Sequence, residues 1–184
     1  MLDVPQLTAF IAERFNKRAF RLETLDAYDV GSDGEDVARY LRGEASPDPG
    51  RKEPWLAQLR AEKEQGKLRQ RVHVLRGPLS GYLRYECEWG YLPNEAAGEE
   101  IWILDLAERP CPAGLDIDYD FWLIDDEVVR MRYDLDGRFT GAEVLDPREL
   151  PRHRAARDAA LASAEPFSSY WQRHPEYHQV NQAA

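Results

Sequence analysis

Cysteine is scarce: Cys87 and Cys111 are the only two among 184 residues. They stand far apart and neither has a second thiol at metal-ligand spacing, which sets aside zinc modules and disulfide scaffolds. No apolar run approaches the ~20 residues of a membrane helix, and no secretory leader pattern opens the chain. A cytoplasmic protein with reduced thiols is the expectation. Positive charge is in deficit as well, with a net charge of −10 and a pI near 4.9. Phosphate contacts dominate nucleic-acid affinity, so direct nucleic-acid binding is not expected, and protein or small-molecule partners are. Glycine-rich phosphate loops are missing: neither GxGxxG nor GxxxxGK[ST] occurs. Ser80, Ser168 and Ser169 lack a GxSxG setting. No cofactor is called for by any motif.

What is present is enough for a packed interior. Hydrophobic residues make up 43%, with five Trp, nine Tyr and six Phe, so disorder is not the default. The length suits one domain and is too short for two comfortable ones. Charge is unevenly spread. Residues 51–76 hold eight Lys/Arg and three Glu, net +5, whereas residues 99–136 hold twelve Asp/Glu and three Arg, net −9. Such runs are ordinarily solvated faces.

The clearest secondary-structure signal runs from Asp120 to Leu145, DFWLIDDEVVRMRYDLDGRFTGAEVL. It reads as strands 121–124, 128–133 and 139–144 joined by turns at Asp125-Asp126 and Asp136-Gly137, where Gly accepts the positive φ of a primed turn. Val129, Met131 and Tyr133 alternate with Val128, Arg130 and Arg132, the pattern of a half-buried antiparallel sheet with one apolar and one largely basic face. Earlier in the chain, Asp3 and Pro5 start a helix over 5–16 with Leu7, Phe10, Ile11 and Phe15 on one stripe. Residues 19–25 alternate as a short strand. Ser32 with Glu35 resembles a capping box for a helix carrying Val37, Tyr40 and Leu41, ended by Gly43. Residues 44–52 read as a loop, and a helix follows from about Pro54 to Gln65, stopped by Gly66. Residues 69–75 form a strand, 79–91 a helix closed by Pro93-Asn94, and 100–106 a strand. That order suggests a right-handed βαβ unit with a parallel strand pair. Asp146-Pro147-Arg148-Glu149 has the form of a capping box for a helix running to about Ala164. Pro166 stops it, Phe167, Tyr170 and Trp171 pack back on the body, and the tail from Arg173 frays.

The strings AFRLETLDAY, PWL with RVHVLRGPLSGYLRYECEWGYLPNEAAGEE, and DFWLIDDEVVRMRYDLDGRFTGAE resemble an uncharacterised family of actinobacterial proteins of about this length. The resemblance covers most of residues 19–170. Members are commonly encoded beside helix-turn-helix regulators of the Xre type. The resemblance therefore implies a regulatory or toxin–antitoxin setting and a helix-turn-helix protein as partner. The order of strands and helices around RVHVL, IWIL and FWLIDDEVV is also similar to one half of a phospholipase-D-like domain. The His-x-Lys-x4-Asp motif of that superfamily is missing, since residues 107–120 hold neither His nor Lys, so the likeness implies a catalytically silent sensor or dimerisation module.

Several groups carry candidate chemistry. His73 and Arg71 share one face of the strand at 69–75, with Val72 and Val74 on the other. Arg84, Tyr85, Glu86 and Glu88 follow on the next helix. His73, Arg84 and Glu86 in one pocket could perform general acid–base work on a phosphodiester, as in small ribonuclease toxins. The ordinary alternative is an ion-paired, half-exposed strand face. His174 and His178 have the i, i+4 spacing of a metal pair, but Pro175 intervenes and no third ligand is near. Asp116, Asp118 and Asp120 alternate, but Phe121 stands where a calcium loop needs Gly, and the later Glu is missing. No metal is expected. Tyr82, Tyr85, Trp89 and Tyr91 crowd one segment, half of it core and half available as an exposed anchor.

The sequence thus points to an α/β protein with a mixed, mostly antiparallel sheet flanked by helices. One globular domain over 1–172 would carry 1–43 as a packed extension and 173–184 as a polar tail. The leading functional expectation is a non-enzymatic regulatory protein, with Arg71, Arg84, Tyr85 and Trp89 contacting a protein partner or a second copy in a homodimer. The alternatives are a ribonuclease-like toxin using His73, Arg84 and Glu86, and a small-molecule sensor with a pocket between the sheet and the 79–91 helix.

Overall fold

A computed structural model describes residues 1–29, 31 and 33–182. Its centre is a seven-stranded sheet in the order β6-β5-β4-β1-β2-β3-β7. The strands are β1 (Arg18–Glu23), β2 (Leu68–Leu75), β3 (Glu100–Asp105), β4 (Phe121–Ile124), β5 (Glu127–Tyr133), β6 (Phe139–Val144) and the short β7 (Glu165–Pro166). β1, β2 and β3 are mutually parallel, and the other pairings are antiparallel. The sheet is therefore mixed and mostly antiparallel, as its sequence implies. The three expected hairpin strands form, with Asp125 (φ 48°) and Gly137 (φ 77°) at their turns. The Asp125 carboxylate also accepts the backbone N–H groups of Asn16, Lys17 and Arg18 at 2.8, 3.1 and 2.7 Å, tying the hairpin to the entry of β1.

Elements pack on both sheet faces, so the side expected to be largely basic is covered in part, while Arg132 on it pairs with Glu143 and stays partly exposed. On one face Phe20, Leu22, Val72, Val74, Leu104, Phe121 and Val128 pack against Ala156 and Ala160 of α6 (Leu150–Ser163). Arg130, on that side, stacks over the Tyr119 ring at 4.1 Å instead of facing water. On the other face Val129 and Met131 pack with Leu7 of α1 (Val4–Arg14). At the far end of that face, Ile101 and Ile103 meet Leu83, Tyr91, Phe167 and Trp171. Between these two apolar clusters lies a polar strip, which the next section describes.

Two helices run through prolines that their sequence marks as helix ends, Pro54 as a start and Pro93 as a stop. α3 covers Pro49–Glu64, because Asp48 caps it through Gly50 N–H and Pro49 suits its first turn. Pro54 sits inside on the exposed side, where water can reach the Gly50 carbonyl it leaves unpaired. The second case is a continuous helix of three parts: α4 (Gly81–Tyr85), a π-helical stretch (Glu86–Tyr91) and α5 (Leu92–Ala97). Leu92 N–H reaches five residues back to the Cys87 carbonyl, and α5 starts afresh with Pro93 in its first turn, where a missing N–H is harmless.

α2 (Gly34–Leu41) forms as expected, although Ser32 of its proposed capping box lies outside the described residues. Asp146 caps a 3-10 turn (Pro147–Glu149) through Arg148 N–H, and α6 follows from it. The N-terminal region is no peripheral extension, since β1 lies between β4 and β2. Nor is the tail free. After α7 (Phe167–Arg173), His178 stacks on Trp171 at 4.4 Å, and Gln179 bonds to Glu88 and to the Tyr40 carbonyl. No helix among the described residues is long and apolar enough to cross a membrane.

Candidate functional site: a polar cavity between the sheet and the π-containing helix

The parallel pairing of β1 with β2 builds the floor. Its register sets Arg21 beside Arg71 and Glu23 beside His73. Strand alternation turns these four to one face, while Phe20, Leu22, Val72 and Val74 enter the core on the other. Two adjacent guanidinium groups repel each other unless a carboxylate lies between them. Glu23 supplies it, meeting Arg21 at 3.0 Å and Arg71 at 2.7 Å. Arg71 also donates to Glu99 at 3.1 Å, and Asn94 donates to the other Glu99 oxygen at 2.9 Å. Glu23, Glu99 and His73 are at most 2% exposed. Buried charges persist only when paired in this way.

The network reaches outward along both strands. His73 Nε2 lies 3.0 Å from the Leu25 carbonyl, which can only accept, so this nitrogen carries the hydrogen and Nδ1 is the acceptor in the neutral ring. The Tyr91 hydroxyl stands 2.7 Å from Nδ1 and 2.9 Å from the Glu23 carboxylate, and its single hydrogen serves one of these two acceptors at a time. Burial lowers the His73 pKa and keeps the ring neutral. On the opposite side Asp120, 2% exposed, accepts from Thr24 N–H and from the Tyr28 hydroxyl at 2.8 and 2.6 Å.

Over this floor opens a cavity of about 730 Å³. Its walls come from α2, the start of α3, and the helix from Tyr82 to Asn94. The wider π turn brings Glu86, Gly90 and Asn94 onto one wall, and Gly90 leaves room between the other two. π stretches are rare and recur at functional positions.

Glu86 is the carboxyl that differs from the rest. It is 3.6 Å from His73 Nδ1 and 3.9 Å from Arg71, without a close partner of its own. Burial, then the charge of Glu23, pushes its pKa up to about 8, so it holds a proton at neutral pH. Burial works in the same sense on Glu23, but there Arg21 and Arg71 win and hold it at about 2. Two neighbouring carboxyls thus stand in opposite states. Three buried polar atoms on this wall and floor have no hydrogen-bond partner among the described residues: Glu86 Oε2, Asn94 Oδ1 and Arg21 Nε.

The structure brings some of the expected residues together and separates others. His73, Arg71 and Glu86 converge. Arg84 does not line the cavity. Tyr85 does, but it is 5% exposed, and Trp89 is 3% exposed. α2 is the reason, because its Tyr40 lies edge-on over Tyr85 and Trp89 at 5.9 and 5.4 Å and closes the aromatic face expected to be an outward anchor. His174 packs between Tyr170 and Tyr177. Asp116 pairs with Arg152 at the surface, whereas Asp120 is buried. No group of three His, Cys, Asp or Glu with metal geometry occurs among the described residues.

Sequence reasoning passed over Arg21, Glu23, Asn94, Glu99 and Lys52. The alternation Phe20-Arg21-Leu22-Glu23 was visible, but a charged strand face ordinarily meets solvent. Only the helices laid across it make it a site.

Fold and site together define an α/β protein with one mixed sheet and a half-open polar cavity beside its central parallel strands. The chain belongs to the family described as Domain of unknown function (DUF6879), whose model matches residues 5–172. The resemblance to an uncharacterised family is borne out at that level. No curated protein and no solved structure matches the chain.

Proposed function

We propose that this chain is a non-enzymatic regulatory protein that senses a small polar molecule bound in the cavity between β1, β2 and the helix from Tyr82 to Asn94. The observation that carries this reading is the convergence of Glu86 Oε2, Asn94 Oδ1 and Arg21 Nε, all buried and without a partner among the described residues, on one cavity of about 730 Å³. Native proteins rarely leave buried polar atoms unsatisfied, and a pocket with a few convergent polar groups is where a ligand supplies the missing bonds. The ribonuclease alternative is less well supported, because His73 is 1% exposed and Arg84 lies off the cavity. A polynucleotide backbone has no path to that imidazole. In this reading a protein partner, such as the helix-turn-helix regulator that the family resemblance implies, reads the ligand-bound state.

The test is a thermal-shift screen of the full chain against a library of polar metabolites, run beside Gly90→Leu. A β-carbon at Gly90 meets nothing closer than Glu86 Cγ at 3.5 Å, so a side chain can start there without a backbone clash and extend into the cavity, and circular dichroism checks that the variant folds. A ligand at a hundred times its Kd stabilises by about 2.7 kcal/mol, roughly 5–10 °C in Tm for a chain of this size. At least one compound is expected to shift the wild type and not Gly90→Leu. A screen with no such compound overturns the reading.

A further inference from the structure

The cavity presents unpaired groups of both signs. Glu86 Oε2 and Asn94 Oδ1 share one wall and have no hydrogen-bond partner among the described residues. The orientation of Asn94 is fixed, because its Nδ2 is committed to Glu99, and the residue is 5% exposed. Lys52 of α3 is half-buried in the same cavity. Burial lowers its pKa, Asp33 and Asp36 oppose that at longer range, and Lys52 has no ion pair among the described residues. Its neighbour Arg51 is already taken by Glu35. Arg21 Nε, on the floor, needs an acceptor.

Resting on the ligand-sensing reading above, we propose that the cavity takes a small zwitterion of the amino-acid class, with its ammonium group between Glu86 and Asn94 and its carboxylate on Lys52. An ammonium offers three N–H donors, enough for both orphaned acceptors. A carboxylate gives the half-buried Lys52 the close ion-pair partner that no described residue supplies. A plain amine would leave Lys52 unpaired, and a plain acid would leave Glu86 and Asn94 unpaired. A net-neutral ligand also preserves the charge balance that the floor has already reached among Arg21, Arg71, Glu23 and Glu99. Tyr28, Tyr82 and Trp55 line the remainder and offer ring faces to the carbon skeleton. The proton that Glu86 holds in the empty cavity leaves when an ammonium arrives, so binding at neutral pH releases a proton.

Calorimetry on the full chain with the proteinogenic α-amino acids, β-alanine and γ-aminobutyrate tests this. Each binder is compared with its decarboxylated amine and its deaminated acid. The zwitterion is expected to bind, and loss of either charged end to weaken it by about tenfold or more. Glu86→Gln should weaken the zwitterion and the amine but not the acid. Lys52→Met should weaken the zwitterion and the acid but not the amine. The heat of binding should depend on the ionisation enthalpy of the buffer, and circular dichroism confirms that both variants fold. An amine that binds as tightly as its zwitterion, or a Lys52→Met chain that binds unchanged, overturns the zwitterion and leaves a cation sensor. If no amino acid binds while the metabolite screen yields a compound sensitive to Gly90→Leu, the zwitterion falls and the sensor stands. If neither yields a ligand, both fall.

Discussion

Glu86 is set apart from the other buried carboxyls by what it lacks. Glu23 has two guanidinium partners and Glu99 has Arg71 and Asn94, whereas Glu86 has Arg71 only at 3.9 Å. Its folded-state pKa of about 8 exceeds its ordinary value of 4.5, so between these pH values the folded protein holds a proton that the unfolded chain has lost. That contribution is full below about pH 4.5 and disappears as pH rises through 8. The depressed His73 pulls the other way, but only below its ordinary value of 6.5. From pH 6.5 to 8, Glu86 acts without that opposition, and stability should fall by about 1–2 kcal/mol. Urea melts at the two pH values measure it, and Glu86→Gln should flatten the slope. Equal slopes in both proteins would refute the assignment. Arg71 gives a complementary prediction. Arg71→Met strands Glu99 and half of the Glu23 pairing in the interior, and denaturant melts should show a loss of about 3–5 kcal/mol. A loss below about 1 kcal/mol would mean that water reaches these carboxylates.

Among the elements, the β4–β5 hairpin and the π-containing helix do the positioning. The hairpin turn was plain from Asp125-Asp126, since Asp tolerates the left-handed backbone that a tight turn requires. Its second task was not visible. The same carboxylate gathers three N–H groups from a segment about 110 residues earlier and so fixes where β1 begins. Asp125→Ala should cost about 2 kcal/mol in a denaturant melt, and Asp125→Asn, which keeps an acceptor and tolerates the same φ, should cost less than half of that. Equal losses would show that the hydrogen bonds contribute nothing beyond the turn. The π turn had no local signature. Apolar spacing over 79–91 predicts a helix, and Pro93 reads as its end, yet the shifted hydrogen bond at Leu92 carries the helix past the proline to Ala97. That shift aligns Glu86 with Asn94.

For the chain as a whole, the central place of β1 has a direct consequence. Removing residues 1–43 takes away a strand paired on both sides, half of the charged floor, and Tyr40 over Trp89. The truncated chain should show no cooperative thermal transition by circular dichroism, whereas the full chain should unfold in a single step. A cooperative transition in the truncated chain would restore residues 1–43 to the status of an extension. Ending the chain after Gln172 is milder. It removes Arg173 with its pairs to Glu108 and Glu165, and the Gln179 contacts with Tyr40 and Glu88, so Tm should drop while the cooperative step remains.

Features that depend on neighbours in sequence were legible in it: the hairpin strands and their Asp and Gly turns, the Asp3 cap, and the mostly antiparallel mixed sheet. Turn chemistry and side-chain periodicity are local, and local rules read them. The convergence of His73 with Glu86, and a pocket between the sheet and the following helix, were also within reach, because strand and helix adjoin in the chain. The site as a whole was not. Arg21 and Glu23 are separated from Arg71 and His73 by some fifty residues, and only the parallel register of β1 with β2 makes them neighbours. Whether a charged strand face meets water or becomes the floor of a cavity depends on what is laid over it. Here α2, α3 and the π-containing helix come to lie there through long-range packing, which no short window of sequence encodes.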